Sequence, residues 1–440
     1  MKFNKKILIC ALLVLMIICC VNATSAAEPL NDTLETSDAG VIALDEQSDD
    51  ALSASGDTLI VDANGGGDYT TISSAVSAAT GGETIFVKNG EYSESNTITF
   101  TKSLSIVGES QDGVRITGTT KSLFSTVEPA IELSFANLTI LNAGSGSNAA
   151  LKLTYSAHNL TLTNCVFDGC GSKYGTMQLG HPGNTVIDNC KILNSKETTS
   201  AGSGAIYVSG AGETTIKNSV IDNVQYTVAS SYMNGVIYVY NANAFLNIEN
   251  TTISNAVAPT RGVINTVGTV NIKGSKIQNN TLNQYSDSMT SHVFYVGDKG
   301  KLNIEQSIIS DNTCVSQLFY NYKSTSSIVV NYCNIHDNSA SGTVNDLGRR
   351  NLEKNWWGSN DKPGDVEADI DLWVVYNWGE YTLNNSSALE KSIPGLTDDG
   401  GDEPGPQPAA YDVYVSPDGD DANDGSSAEN AVKTIDHAYE

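Results

Sequence analysis

The sequence predicts an all-β fold, a right-handed parallel β-helix with a short N-terminal helical cap, and three observations carry that expectation. The segments LTLTNCVFDG, TVIDNCKILN, TTIKNSVIDN, LNIENTTISN, VNIKGSKIQN, LNIEQSIISD and IVVNYCNIHD superimpose without gaps. Their central apolar residues are Leu162, Ile187, Ile216, Ile248, Ile272, Ile304 and Val330, with Leu133 placed in the same register and spacings of 24 to 32 residues. Each unit alternates apolar and polar residues with period two, the mark of a half-buried strand. A second short strand, centred on Met177, Ile206, Ile237, Ile264, Phe294 and Phe319, stands 8 to 11 residues earlier. Two strands and a variable loop per unit cannot bury an apolar face alone, but stacked copies build one continuous core.

The columns of such a stack can be read directly. Five positions after the centre stand Phe167, Ile192, Ile221, Ile253, Ile277, Ile309 and Ile335, all apolar. Seven positions after it stand Gly169, Asn194, Asn223, Asn255, Asn279, Asp311 and Asp337, turn formers that tolerate left-handed backbone. Three positions after it every residue is small: Cys165, Cys190, Ser219, Thr251, Ser275, Ser307 and Cys333. The cysteines in that column are therefore expected to pack at tight corners. One position after the centre, Asp188, Lys217, Glu249, Lys273 and Glu305 alternate in sign, a pattern that pins strand register.

The flanks complete the plan. Lys2, Lys5 and Lys6, an apolar run over residues 7–21, and then Ser25, Ala26 and Ala27 describe a secretory signal peptide over residues 1–27. Secretion to the extracellular cell surface follows, with no membrane span after cleavage. Residues 28–57 hold nine acids and no Lys or Arg, an acidic flexible leader. Residues 58–383 form the β-helix domain. TLIVDA is its first strand, and TTISSAVSAATGG places Ile72, Ala75, Val76 and Ala79 on one face of a capping helix before a Gly stop. The Trp residues, all within 356–378, are expected to cover the far end. An acidic Pro/Gly linker occupies residues 384–410, and residues 411–440 start a second β-helix cap.

The formal charge is −26, and loss of three lysines with the signal takes it to −29. Such a chain repels nucleic acid. The five cysteines outside the signal are odd in number and lack CxxC pairs, which argues against a disulfide framework or a zinc site. Asp418, Asp420, Asp421 and Asp424 are candidates for calcium, although their spacing does not match the helix-loop-helix calcium motif. No other cofactor is expected.

One column points to a ligand. The outward residue of the earlier strand is Gln178, Tyr207, Tyr238, Asn265, Tyr295 and Tyr320 in successive units. Tyr207, Tyr238, Tyr295 and Tyr320 would stack on sugar rings as rigid amphipathic surfaces. The competing structural reading is that they pack on one another.

Residues 58–118 resemble the N-terminal cap and first coils of pectinesterases and other right-handed β-helix proteins. The stacked coils ending in NWWG are similar to adhesin-like surface proteins of methanogenic archaea, and the resemblance covers residues 58–383. It implies a non-catalytic, secreted surface protein that attaches to extracellular glycans or other cells' envelopes. The pectinesterase GxxDFIFG-like segment and the NxD, DD, GHG and RIK elements of galacturonan hydrolases have no counterpart here, so no catalytic residue is assigned. The alternative is a polysaccharide lyase or glycoside hydrolase of the pectin-lyase-like class. Its candidate carboxylates are Asp168 and Asp222, two strand spacings apart across Leu193. His158, His181, His292, His336 and His437 are each expected to stand alone.

Overall fold

The computed structural model describes residues 57–127, 130–197, 202–226, 234–258, 261–283, 290–344, 347–352 and 355. The signal peptide, most of the acidic leader, the tryptophans, the linker and the Asp418, Asp420, Asp421 and Asp424 cluster lie outside them.

The chain winds as a right-handed parallel β-helix. Sheet I has twelve strands, running in chain order from Thr58–Val61 to Arg349–Asn351. Sheet II has ten strands, from Ile98–Phe100 to Gly342–Val344, and sheet III has ten, from Gly90–Ser93 to Asn334–His336. Each coil visits II, I and III in turn. A fourth, five-stranded sheet of two-residue strands starts at Lys196–Glu197 and ends at Thr313–Cys314. Two strands per coil were expected. Sheet III escapes period analysis because most of its strands, such as Lys191–Leu193, are only three residues long.

Most of the register agrees with the columns, with Ile187 opposite Ile216, Ile248 opposite Ile272, and Asp188 opposite Lys217. Leu133 is the correction: it pairs with Leu160, and Phe135 stands opposite Leu162. A slip of two residues keeps every side chain on its own face, so alternation cannot detect it.

The corners explain the Asn-rich composition. Asn164, Asn189, Asn218 and Asn250 turn the chain from sheet I to sheet III, and each has φ between 45° and 52°. Asn194, Asn223, Asn255 and Asn279 make the next corner, with φ between 52° and 56°. Asn reaches left-handed backbone at small cost because its short side chain bonds locally. The amides also run along the stack. Asn164 donates from Nδ2 to Asn137 Oδ1 at 2.8 Å, and Asn223 to Asn194 at 2.6 Å.

The small column is a buried hydrogen-bond ladder. The Cys190 amide donates to Ser219 Oγ (3.0 Å), Thr251 to Ser275 Oγ (3.1 Å) and Ser275 to Ser307 Oγ (3.1 Å). All five described cysteines are free and buried. Burial pushes the thiols of Cys170 and Cys333 up to about 12. They are packing groups, as expected.

Inside, Ile187, Ile216, Ile248, Ile272 and Ile304 form one continuous buried column. Each such side chain contributes about 1.5–3 kcal/mol of transfer free energy. Phe100, Phe124 and Phe135 fill the interior of the first coils, with Phe124 and Phe135 centroids 4.9 Å apart. Helix α1, Ile72–Ala78, buries Ile72, Ala75 and Val76 against the first strands. Thr71 caps it, and Glu94 from the next coil accepts from the amides of Ile72 (2.9 Å) and Ser73 (3.2 Å). The cap is thus tied to the coil it covers.

Candidate functional site

Three outward faces were open to carry function, and their chemistry differs. On sheet I, Lys217 pairs with Asp188 at 3.2 Å and Lys273 with Glu305 at 2.9 Å. Asn303, Asn271 and Asn247 continue the ladder beside them, donating in sequence at 2.9 Å. Those groups satisfy one another along the stack.

On sheet III, Asp168 and Asp222 flank Leu193 in register. Each carboxylate is engaged in a corner. Asp168 Oδ1 accepts from Asn194 Nδ2 (2.7 Å), and Asp222 Oδ1 accepts from Ser254 Oγ and Asn255 Nδ2 (both 2.6 Å). The pair serves the turn ladder.

Sheet II is different in composition. None of its strands contains Asp or Glu, whereas sheet I carries Glu132, Asp188, Glu213, Glu249 and Glu305 in its strands. In a chain with 50 acidic residues, the strands of sheet II are, among the described residues, the ones of the three long sheets without a carboxylate. The tyrosines stand there. Tyr207 lies opposite Tyr238, Tyr238 opposite Asn265, Asn265 opposite Tyr295, and Tyr295 opposite Tyr320.

The column divides into two clusters. Tyr174 and Tyr207 have ring centroids 5.2 Å apart, Tyr207 and Tyr238 5.7 Å, and Tyr240 packs edge-on to Tyr238 at 5.6 Å. Beyond Asn265, Tyr295 stacks on Tyr320 at 5.3 Å, and His292 stacks on Tyr320 at 4.1 Å. Burial and neighbouring phenols push the Tyr207 hydroxyl well up, and burial takes Tyr238 to about 12. These phenols therefore stay protonated at any physiological pH. Burial also lowers His292 to about 4, and its nitrogens contact the Gln317 carbonyl (3.2 Å) and Thr290 Oγ1 (3.0 Å), so it is a neutral packing group.

The rings pack on one another, as the structural reading of the column expected, and part of the cluster stays open. Tyr295 is only 9% exposed. The open rings are Tyr240 (57%) and Tyr322 (46%), which the repeat columns did not single out. They stand two residues after Tyr238 and Tyr320, hence on the same face, and that spacing was the available signal. Sequence columns also missed the cations. Lys173 lies 5.7 Å from the Tyr174 centroid, Arg261 5.3 Å from Tyr295, and Lys323 5.5 Å from Tyr322. These cations come from segments flanking the strands and recur in no column.

One histidine expectation is corrected. His158 and His181, on successive coils, are buried with ring centroids 6.0 Å apart. Their separation of 23 residues is about one coil, which a linear reading does not convert into contact.

Among the described residues, no group of three or more His, Cys, Asp or Glu is placed to hold a metal ion, and no helix is long and apolar enough to cross a membrane. No protein-family profile matches the chain, and no curated protein does. Solved structures similar to it include the PL6 family alginate lyase AlyGC (12% identity, TM-score 0.42), with 65% of this chain and 40% of that one covered. Another is the pectate lyase Pel9A (13% identity, TM-score 0.33), with 79% of this chain and 91% of that one covered. The chain thus spans less than half the length of the alginate lyase. Both likenesses are of fold.

Proposed function

We propose that this protein binds a polysaccharide along the outer face of sheet II. The carrying observation is a sheet whose strands hold no carboxylate, with tyrosine rings held by mutual packing and edged by Lys173, Arg261 and Lys323. Rings already ordered by neighbours lose little entropy on stacking against a sugar. Tyr207, Tyr238, Tyr295 and Tyr320 build the ridge, and Tyr240 and Tyr322 offer its open surfaces. Attachment at a cell surface, to a glycan or another cell's envelope, is supported by the resemblance noted above. Secretion is supported by residues 1–27.

A second reading is cleavage of the bound chain by a lyase or hydrolase, which the names of the alginate and pectate lyases support. The carboxylates Asp168 and Asp222 belong to another face and are engaged there. Incubating the full chain with a panel of plant and microbial polysaccharides, with and without calcium, and weighing retained and released sugars by mass spectrometry separates the two. Retention of intact chains is expected. Shortened or unsaturated products would replace binding by turnover, and no retention at all would overturn the proposal.

A further inference from the structure

The tyrosine ridge is interrupted once, and the interruption has its own chemistry. Asn265 takes the outward position between Tyr238 and Tyr295. It is 1% exposed, yet its Nδ2 has no hydrogen-bond partner. A buried amide donor left unsatisfied costs about 1–3 kcal/mol, so its retention calls for an explanation. Beside the same gap, the Arg261 guanidinium lies over the Tyr295 ring at 5.3 Å, and no carboxylate among the described residues forms an ion pair with it.

Resting on the reading of sheet II as a polysaccharide-binding face, we infer that the gap between Tyr238 and Tyr295 is a subsite for an anionic sugar. A carboxylate or sulfate ester on the ring would take charge-assisted hydrogen bonds from Arg261, whose planar fork suits such groups. The Asn265 amide supplies a second donor from the floor. Tyr238 and Tyr295, with phenols held protonated, border the sugar on either side. The surrounding absence of Asp and Glu from the sheet removes the repulsion that the rest of the surface would impose on an anion.

Calorimetric titration of the full chain tests this. The probes are hexasaccharides with glucan, galactan and mannan backbones, each neutral, oxidised to the C6 carboxylate, or 6-sulfated. An anionic form is expected to bind about tenfold or more tighter than its neutral counterpart, the scale of one charge-assisted hydrogen bond. Added salt should weaken that preference. Arg261→Gln should abolish it and Arg261→Lys restore part, while Tyr240→Ser should weaken neutral and anionic forms alike. Whether the carboxylate or the sulfate is preferred identifies the anion. Equal affinity for neutral and anionic forms, unchanged in Arg261→Gln, would overturn the anionic subsite and leave the ridge standing. Binding of no hexasaccharide would overturn both.

Discussion

Acid should loosen this protein through a buried imidazole, and the size of the effect follows from the packing of two coils. His181 is 3% exposed; burial, and then the neighbouring His158, lower it from 6.5 to about 4. Nε2 of His181 contacts Thr185 Oγ1 at 3.1 Å, while Nδ1 of His181 and Nε2 of His158 have no partners. The folded-state pKa lies below the unfolded value, so the contribution is complete above pH 6.5. It is lost as the pH falls towards 4, because the unfolded chain takes up the proton first. The loss is about 1.4 kcal/mol per pH unit across that window, or roughly 3 kcal/mol in all. His181→Gln keeps an amide beside Thr185 and cannot titrate. Urea midpoints of wild type and variant, measured from pH 7.5 to 4.5, should converge as the pH falls, since acid-labile carboxylates affect both equally. A constant difference across that range would show that the folded protein protonates His181 at no cost, and would refute the argument from burial.

The remaining expectations concern the ladders and the ridge. Asn312 is fully buried; its Oδ1 accepts from the Asn280 amide (3.1 Å) and its Nδ2 donates to the Ile277 carbonyl (2.8 Å), so Asn312→Ala should cost about 2 kcal/mol or more in urea unfolding. Ile248→Ala, which opens a void between Ile216 and Ile272, should cost about 2–5 kcal/mol by the same measurement. Replacing Tyr207, Tyr238, Tyr295 and Tyr320 together by Ser should abolish polysaccharide retention while circular dichroism stays that of a β-helix; unchanged retention would remove the ridge as the site.

How much of this was legible depended on whether a residue recurs. Ile187, Asn194 and Cys190 each belong to a column, and their roles as core, left-handed corner and buried ladder follow from repetition alone. Leu133 takes the central place in the sequence columns that belongs to Phe135, because a two-residue slip leaves alternation intact; Asn137, with φ 56° at the corner, is the residue that fixes the register. Arg261 belongs to no column, and its neighbourhood with Tyr295 and Asn265 exists only once the coils are stacked. The corners and core of this solenoid are written periodically, whereas the face proposed to bind is written in exceptions to the period.

Because most corners ask of their neighbours only an Asn amide and a small buried side chain, a coil duplicated in frame enters a stack that already accepts it. The rod would grow by about 4.8 Å per duplication with no new core to invent. Rod length can therefore drift between generations like the number of beads on a string. The tyrosine face cannot drift so freely, since a coil inserted between Tyr238 and Tyr295 would part Asn265 from its flanking rings. On the proposed reading, selection on reach and selection on recognition would act on separable parts of one polypeptide.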